Sequence, residues 1–365
     1  MKITNENNEI EISESEWIDL NATHSKEYIK QLISDTIEKS KVALPFRKIT
    51  TDDRDEAFKT LQEFDATSLI EKSDFYSRYE YDYDFGNTII KMSNVGNKAS
   101  DYFHQKLRWN CDSINAPSPY RTWASEKFRL TLLNGLWTLK VTKVNSTVLR
   151  TTISLRKYIA SQFKPSVAKC IYQHFNPTNI LDFSTGWGDR LLAYQSWSGS
   201  NNHYTGIDPN INLKETYSKQ LKCFGTKGSY NFDFKPAETS NLIEKEFYDL
   251  VFTSPPYYNI ERYTQEENQS WKKYRKIDQW LTQFLFPTLK KSYIALRKGG
   301  HMVINISDVY SNHTVNKICD PMNDYLTSLG ATYVDCWGMK MAKRPNSKAT
   351  KQDGVFAEPV WIWEK

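Results

Sequence analysis

The segment Thr253-Ser254-Pro255-Pro256-Tyr257 combines residue types that can hold a flat ring carrying an amino group. Each proline fixes its backbone φ and removes an N–H donor, so the oxygens of Ser254 and the carbonyl of Pro255 form a rigid set of acceptors. These acceptors can bind the two amine hydrogens while the Tyr257 ring stacks on the substrate. Hydrogen bonding of this kind favours a tetrahedral nitrogen, whose lone pair can attack an electrophile. The alternative is a plain Pro-Pro turn.

A second motif, Asp182-Phe183-Ser184-Thr185-Gly186-Trp187-Gly188, follows a short apolar run and opens a helical pattern. Its two glycines allow the backbone to approach a ligand closely, although a structural strand-to-helix turn is an equal alternative. Asp208 ends the next apolar run, where a carboxylate can accept both hydroxyls of a ribose. The third glycine of the dinucleotide fingerprint is replaced by Leu191, which disfavours a pyrophosphate cofactor.

Both motifs lie in a region where short apolar runs alternate with helical patterns, and this alternation predicts an α/β fold with a mostly parallel sheet. The predicted strands are Ile180–Phe183, Tyr204–Asp208, Ser229–Phe234, Asp249–Phe252, Met302–Ile306, Ala331–Trp337 and Val360–Trp363. The predicted helices are Glu27–Glu38, Asp189–Tyr194, Leu213–Phe224, Ile277–Arg297 with Gly299-Gly300 as its stop signal, and Asn316–Leu329. The last two strands have no helical pattern between them, which predicts an antiparallel hairpin at the end of the sheet.

The length of 365 residues suggests roughly two domains. We expect an N-terminal accessory domain over residues 1–150, which could recognise a target, and a catalytic domain over residues 151–365. Charge is uneven: residues 1–90 contain 11 Lys and Arg against 20 Asp and Glu, whereas residues 91–150 contain 10 against 3. This asymmetry favours a polyanionic partner. The acidic, tyrosine-rich run Tyr79–Asp84 predicts a solvated strand or loop.

Several function classes are disfavoured by what the sequence lacks. Its five cysteines form no CxxC unit and its six histidines do not cluster, so we expect neither a disulfide framework nor a metal site. A GxxxxGK phosphate loop and the zinc-deaminase pattern are missing. The polar N-terminus does not resemble a signal peptide, and no apolar stretch is long enough to span a membrane. We therefore expect an intracellular, cytoplasmic protein that does not bind a membrane.

The order of the motifs is itself informative, since the glycine-containing segment precedes Asp208 and the Pro-Pro segment comes last. In this order residues 160–365 resemble class I S-adenosylmethionine-dependent methyltransferases, and more narrowly the amino-methyltransferases that modify cytosine N4 or adenine N6 in DNA. The resemblance implies a Rossmann-like class I methyltransferase sheet and S-adenosylmethionine as the cofactor. The segment Gln162–Ala168 resembles the part of the family that closes over the methionine end of the cofactor.

The resemblance also implies roles for individual residues. The implied catalytic residues are Ser254, Pro255, Pro256 and Tyr257. The implied cofactor-binding residues are Phe163, Pro165, Asp182, Ser184, Gly186, Gly188, Asp208, Glu238 and Thr253. Of these, Glu238 departs from the Asp-Ala pair that is usual in the adenine-binding segment. Family members usually carry Asp before the prolines for adenine N6 and Ser for cytosine N4, so Ser254 favours cytosine N4.

Three segments are candidate contacts to nucleic acid, because each combines basic and aromatic side chains or is strongly basic. They are residues 91–150, Tyr258–Trp280 and Lys340–Lys351. The alternatives are a basic scaffold, a solvated insertion and a charged hairpin, respectively. A duplex target would have to be flipped out of the base stack. DNA is the expected partner, and the competing hypotheses are methylation of an RNA base amine and a catalytically silent subunit that binds nucleic acid.

Overall fold

The structure is a computed structural model that describes residues 2–114, 116–157, 159–311, 313–342 and 354–365. It divides into two compact units, and each unit is built from separate stretches of the chain. The first unit comprises Met1–Ile49 and Gln105–Ser161, and the second comprises Thr50–His104 and Gln162–Lys365. The sequence predicts a single boundary at residue 150, whereas the structure places residues 50–104 with the later part of the chain. This difference arises because strands in residues 50–104 pair with strands near the C-terminus.

The helices and strands are numbered in chain order. The helices are α1 (Glu14–Thr23), α2 (Lys26–Lys39), α3 (Thr51–Glu63), α4 (Asn97–Trp109), α5 (Pro119–Ala124), α6 (Glu126–Thr138), α7 (Ser146–Arg156), α8 (Pro165–Phe175), α9 (Asp189–Trp197), α10 (Leu213–Phe224), α11 (Ser270–Lys273), α12 (Ile277–Trp280), α13 (Phe286–Ala295) and α14 (Cys319–Ser328). The strands are β1 (Ile70–Lys72), β2 (Phe75–Tyr76), β3 (Thr88–Ile90), β4 (Asp112–Ser113), β5 (Asn179–Asp182), β6 (His203–Ile207), β7 (Ser229–Asp233), β8 (Tyr248–Thr253), β9 (Glu261–Arg262), β10 (Leu296–Asn305), β11 (Val309–Ser311), β12 (Thr314–Asn316), β13 (Thr332–Lys340) and β14 (Val355–Glu364).

The first unit is mainly helical and has its own apolar core. In α2 the isoleucines at positions 29, 33 and 37 recur every four residues, so they share one face of the helix and are buried. The Arg129 side chain in α6 is also buried, and it donates to the Ser34 hydroxyl, the Trp123 carbonyl and the Glu38 carboxylate. These bonds satisfy a buried cation and tie α6 to α2 and to the end of α5.

The second unit is organised by one large sheet. Nine strands of the described residues lie side by side in the order β1-β3-β13-β14-β10-β8-β5-β6-β7, and β2 pairs with β14. Strands β5, β6, β7, β8 and β10 are parallel, whereas β14 is antiparallel to both β10 and β13. The predicted α/β fold with a mostly parallel sheet and a C-terminal antiparallel hairpin is therefore confirmed. The chain moves outward in both directions from β5, and ligands bind at such a switch point in open α/β sheets.

The predicted long helix over Ile277–Arg297 is wrong in its length and continuity. It is divided into α12, a π-helical turn over Leu281–Leu285, and α13. Pro287 lies in the first turn of α13 and has no N–H to continue the preceding bonding pattern, which accounts for the irregular turn. The Gly299-Gly300 pair lies inside β10 and not after a helix, because Gly299 adopts φ 76° where the register with β8 shifts.

Residues 50–104 extend and cover this sheet. Strand β3 pairs with β13 in parallel and with β1 in antiparallel orientation, which lengthens the sheet at one edge. The run Tyr79–Asp84 is a loop whose acidic side chains at positions 80, 82 and 84 are exposed, as expected, but its tyrosines are half-buried. Tyr81 and Tyr83 pack against the main core of this unit, and the Tyr81 ring lies edge-on against Trp361 of β14, with 5.2 Å between centroids. The acidic side chains of the run are therefore solvated, whereas its rings contribute to the core.

Within the described ranges, the structure contains no helix with the length and apolar character needed to cross a membrane.

Candidate active site

The two sequence motifs lie at the same edge of the sheet, at the carboxyl ends of neighbouring strands. The segment Asp182–Gly188 follows β5, and the segment from Ser254 to Tyr257 follows β8, which pairs with β5. A direct bond joins the two motifs, since the buried Thr253 hydroxyl donates to Asp182 Oδ1 at 2.9 Å. The structure therefore brings together the two candidate ligand-binding segments that the sequence separates by about seventy residues.

Asp182 is the centre of a buried hydrogen-bond network. Its carboxylate accepts from Arg190 Nε at 2.7 Å, from the Tyr204 hydroxyl at 2.8 Å and from the Ser184 backbone N–H at 3.2 Å. Together with Thr253, these donors occupy both carboxylate oxygens, and Asp182 has no exposed surface. The arrangement shows a structural function for Asp182, which fixes the turn after β5 against β6 and β8. Its direct contact with a cofactor stays a prediction.

The two positions occupied by glycine after Asp182 favour glycine for different structural reasons. Gly186 adopts φ 63°, and a Cβ placed there would meet only the Ser184 carbonyl at 3.8 Å, so this position faces open space. Gly188 adopts φ 72°, and a Cβ there would clash with side chains of His104 and Gln220 at 2.5 and 2.7 Å. Gly186 therefore leaves room for a ligand beside the loop, whereas Gly188 permits close packing of α9 against its neighbours.

Asp208 follows β6 and faces the glycine loop. Its carboxylate accepts from the Gly186 N–H and from the Asn210 N–H, each at 2.9 Å. Burial raises the pKa of Asp208 to about 6, although these two hydrogen bonds act in the opposite direction. Each oxygen uses one lone pair in this way and keeps further acceptor capacity, which suits a pair of vicinal hydroxyls.

The other predicted cofactor-binding residues near the segment Asp182–Gly188 differ in how well they are placed to contact a ligand. The Phe163 ring lies 5.2 Å from the Arg190 guanidinium, so Phe163 is close to the buried network after β5. Pro165 is buried at the first turn of α8, where its fixed φ starts the helix. Ser184 contributes its backbone N–H to Asp182. Of these three residues, Phe163 has the side chain best suited to cover a ligand.

Glu238 lies beyond β7 and has an oxygen that is not engaged. Its side chain is 6% exposed, and its Oε1 accepts from the Tyr274 hydroxyl at 2.9 Å and from Lys273 Nζ at 3.1 Å. Within the described part of the chain, Glu238 Oε2 is buried and has no hydrogen-bond partner. A buried carboxylate oxygen without a donor is costly, so a ligand that supplies an N–H or O–H would be stabilised there.

The segment Tyr258–Trp280 extends from the Pro-Pro motif toward the glycine loop. Besides the contacts of Lys273 and Tyr274, Asn268 Nδ2 donates to the Pro209 carbonyl at 3.0 Å. The Tyr263 ring lies edge-on against Trp187 of the glycine loop, with 5.3 Å between centroids. The segment thus contacts the ends of β5 and β6 and covers the same edge of the sheet.

The Pro-Pro motif is held from one side by Asn305 at the end of β10. The Ser254 hydroxyl donates to Asn305 Oδ1 at 3.4 Å, and the Tyr257 hydroxyl donates to the Asn305 carbonyl at 3.4 Å. The motif ends in a tight turn, because the Tyr258 N–H donates to the Pro256 carbonyl and Tyr258 adopts φ 53°. Pro255 is buried beneath this turn. The arrangement leaves the Tyr257 ring fixed by its hydroxyl beside the Ser254 acceptors.

Two residues at this site, Asn305 and Glu358, were not predicted from the sequence. Glu358 lies on β14 and faces Asn305 Nδ2 at 3.5 Å, and burial raises the pKa of its carboxyl to about 7. Asn305 is the polar residue in the otherwise apolar predicted strand Met302–Ile306, and Glu358 interrupts the apolar C-terminal run just before Pro359. A single polar residue within an otherwise apolar run is the signal that could have indicated both.

Among the described residues, no group of three or more His, Cys, Asp or Glu side chains is arranged to hold a metal ion. The carboxylates at this edge are instead separated, with Asp208 after β6, Glu238 after β7 and Glu358 on β14. This spacing suits an organic ligand that contacts several strand ends in turn.

Comparison with known families now adds to this geometry. Residues 248–365, from β8 to the C-terminus, match a family model described as DNA methylase. No curated protein matches the chain. The order of the parallel strands agrees with the methyltransferase-type sheet that the sequence resemblance implies, and the match covers about a third of the chain. Over this C-terminal part, the match supports the resemblance to the N4/N6 amino-methyltransferases.

Solved structures of low similarity also match the chain. TrmN from Thermus thermophilus is 14% identical, with coverage of 60% of this chain and 53% of that one, at a TM-score of 0.38. An S-adenosylmethionine-dependent O-methyltransferase from Thermotoga maritima is 12% identical, with coverage of 59% and 70% and a TM-score of 0.37. The 1,6-didemethyltoxoflavin-N1-methyltransferase of Burkholderia thailandensis is 16% identical, with coverage of 55% and 77% and a TM-score of 0.36.

Proposed function

We propose that this protein transfers a methyl group from S-adenosylmethionine to the exocyclic amine of a base in DNA, with cytosine N4 preferred over adenine N6. The observation that carries the proposal is the position of Ser254 and Tyr257 directly after β8, bonded through Thr253 to the glycine loop after β5. This bond supports the proposal, because the proposed amine acceptors and the proposed cofactor loop then share one edge of the sheet, where ligands bind in open α/β sheets.

The residues at the ends of β5, β6 and β7 fit the cofactor. Asp208 would accept from the two ribose hydroxyls, because each of its oxygens keeps free acceptor capacity. Gly186 leaves open space for the backbone to approach the ligand. The unengaged Glu238 Oε2 would accept from the amine of the adenine ring, which satisfies a buried oxygen. When bound, S-adenosylmethionine supplies an electrophilic methyl group.

On the other side, Ser254 and Pro255 would hold the two hydrogens of the target amine. The amine nitrogen of a nucleobase is a weak nucleophile, since its lone pair is delocalised into the ring. Two acceptors that bind its hydrogens favour the tetrahedral geometry in which the lone pair is available. Stacking on Tyr257 fixes the plane of the base, and most of the rate then comes from positioning and electrostatics.

The preference for cytosine rests on Ser254. An Asp at this position would be a stronger, charge-assisted acceptor for the amine. A Ser hydroxyl is a neutral, weaker acceptor. Since adenine at N1 and cytosine at N3 both carry an unprotonated nitrogen beside the amine-bearing carbon, the preference for cytosine N4 comes from the resemblance, in which Ser before the two prolines is usual for cytosine N4.

The segment Tyr258–Trp280 is the surface we propose for contact with nucleic acid near the target base. The Arg262 guanidinium lies over the Trp271 ring at 4.8 Å from its centroid, which forms a flat cationic platform next to the motif. Lys272 and Lys273 add positive charge to the same segment, although both also pair with glutamates. Such a combination can bind phosphates and stack on exposed bases.

The other two predicted contact segments have different outcomes. Within residues 91–150, the side chains of Arg108 and Arg129 are buried, so these two cations support the fold and not a phosphate contact. We propose that the first unit is an accessory domain that contributes to target recognition through its exposed residues. In the segment Lys340–Lys351, the cations Lys343, Arg344, Lys348 and Lys351 lie outside the described residues.

The test is to incubate the protein with methyl-labelled S-adenosylmethionine and unmethylated DNA, or with RNA in parallel, and to identify labelled nucleosides by mass spectrometry. We expect N4-methylcytosine in DNA. N6-methyladenine would retain the mechanism and overturn the argument from Ser254. Label found only in RNA would show that the substrate is RNA and not DNA. No label in either polymer, with no binding of S-adenosylmethionine, would indicate a catalytically silent subunit.

A further inference from the structure

Three adjacent strands contribute polar groups to one point beside the Pro-Pro motif. Strand β8 leads into Ser254, β10 ends at Asn305, and β14 carries Glu358. Because β14 is antiparallel to β10, the early part of β14 lies at the edge where β8 and β10 end. The sheet therefore brings Glu358 to the proposed target-base site, although more than one hundred residues separate it from Ser254 in the sequence.

The contacts of Asn305 fix the orientation of its amide group. The amide nitrogen Nδ2 lies 3.1 Å from the Pro359 carbonyl and 3.5 Å from Glu358 Oε2. A backbone carbonyl can only accept, so the atom that faces it must be the NH2 group. The carbonyl oxygen Oδ1 must then face Ser254, whose hydroxyl lies 3.4 Å away. Both hydrogens of the amide are directed toward acceptors, and its oxygen is left to accept.

This orientation determines what the Ser254 hydroxyl can do. If the hydroxyl hydrogen is donated to Asn305 Oδ1, the Ser254 oxygen presents only its lone pairs to the site. A serine then behaves as the pure acceptor that an aspartate would be. The Tyr257 hydroxyl also lies 3.5 Å from Asn305 Oδ1 and forms a hydrogen bond with Glu358, so the same group holds the stacking ring.

We propose that Glu358 is a positioning residue for methyl transfer, which acts through the Asn305 amide to make the Ser254 hydroxyl an acceptor for the target amine. This inference rests on the proposed function and deepens it. Ionised Glu358 accepts from Asn305 Nδ2 and keeps the amide in the orientation described above. Protonation removes the negative charge that strengthens this contact and leaves the Pro359 carbonyl as the main acceptor for the amide, so the amide is held less firmly and Asn305 Oδ1 competes less well with the substrate for the Ser254 hydrogen.

The electrostatic surroundings of Glu358 place its titration in the range of ordinary assays. Burial and, to a smaller extent, the nearby charge of Glu261 raise its pKa, the hydrogen bonds from Tyr257 and Asn305 lower it, and together they bring the pKa to about 7. Among the described residues, Tyr257 after β8 and Glu261 in β9 are the titratable groups that act on this pKa. At pH 6 a group with a pKa of about 7 is only about one-tenth ionised.

The test measures kcat/KM for the nucleic acid from pH 5.5 to 8.5 at saturating S-adenosylmethionine. We expect the wild-type value to rise about tenfold between pH 6 and the plateau above pH 8. The Glu358→Gln variant is expected to show a flat profile and a plateau about tenfold lower, with unchanged affinity for S-adenosylmethionine. The matched control is Glu364→Gln at the other end of β14, where an exposed carboxyl pairs with His301, and it should retain the wild-type rate and profile.

Two further variants test whether Glu358 acts on Ser254 through the Asn305 amide. Asn305→Ala keeps the Glu358 carboxyl but removes its connection to Ser254, so the pH dependence near 7 should also disappear. Tyr257→Phe removes a hydroxyl whose hydrogen bond lowers the pKa of Glu358, so the pH dependence should remain, with its inflection at a higher pH and a lower rate. If the wild type is active and either Glu358→Gln or Asn305→Ala keeps the inflection near pH 7, this inference is overturned and the proposed function is not. A wild type without activity on any nucleic acid would overturn the proposed function and this inference with it.

Discussion

The two halves of the site differ in how firmly they are built. On the glycine side, the completely buried Asp182 accepts side-chain hydrogen bonds of 2.7 to 3.2 Å from Arg190, Tyr204 and Thr253. On the Pro-Pro side, the bonds that join Ser254 and Tyr257 to Asn305 are 3.4 to 3.5 Å long, whereas the bond from Asn305 to the Pro359 carbonyl is shorter, at 3.1 Å. A short, fully satisfied network preorganises a binding loop, whereas longer bonds can tighten when a substrate arrives. The comparison indicates a rigid half at the proposed cofactor site and a more adjustable half at the proposed base site.

The largest effect is expected from Asp182→Ala, which should break the rigid half. The change leaves the buried Arg190 guanidinium without its carboxylate, and an uncompensated buried charge costs about 3–5 kcal/mol. Denaturant unfolding at pH 7 would measure this loss. The matched control is Glu215→Ala, which removes an exposed helix pair with Lys219 and should cost less than about 0.5 kcal/mol. A loss of similar size for both variants would show that Asp182 does not hold the fold.

The adjustable half should respond chiefly in rate, with a smaller loss of stability because the half-buried Tyr257 ring packs against the core. Tyr257→Ala removes the ring on which the target base is proposed to stack, a contact of about 1–3 kcal/mol, so methyl transfer should fall by roughly 100-fold. Binding of S-adenosylmethionine should be unchanged. Calorimetric titration of the cofactor and single-turnover methylation on one oligonucleotide would measure both quantities. Transfer at a rate near wild type would remove Tyr257 from the base site.

The sequence and the structure agree best where a function depends on local patterns. The predicted strands before Asp182, Asp208 and Ser254 are present, and α10 has the predicted bounds Leu213–Phe224. Short apolar runs bounded by turns define these elements locally, so their type and order can be predicted from the sequence.

The differences arise where distant parts of the chain meet. The network of Asp182 depends on Arg190 and Tyr204 from two other elements, which a motif does not reveal. Likewise, Asn305 and Glu358 become neighbours only because β14 is antiparallel to β10. The placement of residues 50–104 with the large sheet has the same origin, since β3 pairs with β13 far along the chain. Long-range strand pairing is the information that local periodicity lacks.

A third prediction concerns how the affinity for S-adenosylmethionine depends on pH through Asp208. Asp208 has a pKa raised to about 6, and donation from ribose hydroxyls would favour its ionised form. Affinity for S-adenosylmethionine should therefore decrease as the pH falls through 6. The Asp208→Asn variant should bind S-adenosylmethionine about tenfold more weakly than the wild type at pH 8, and its affinity should not depend on pH. Titration of the cofactor at pH 5.5, 6.5 and 8 tests the sign. A pH-independent affinity in the wild type would exclude Asp208 from the ribose site.

The smallest effect is expected at Glu238, where the two halves meet through the segment Tyr258–Trp280. Glu238→Ala removes the unengaged oxygen proposed to accept from adenine, and one hydrogen bond of about 1 kcal/mol corresponds to roughly fivefold weaker cofactor binding. The same change also frees Tyr274 and Lys273. Tyr274→Phe separates these explanations, because it releases the segment and keeps the carboxylate. If Tyr274→Phe weakens cofactor binding as much as Glu238→Ala does, Glu238 acts by anchoring the segment Tyr258–Trp280. The proposed cofactor site then depends more on the proposed base site than the hydrogen bonds of Asp182 indicate.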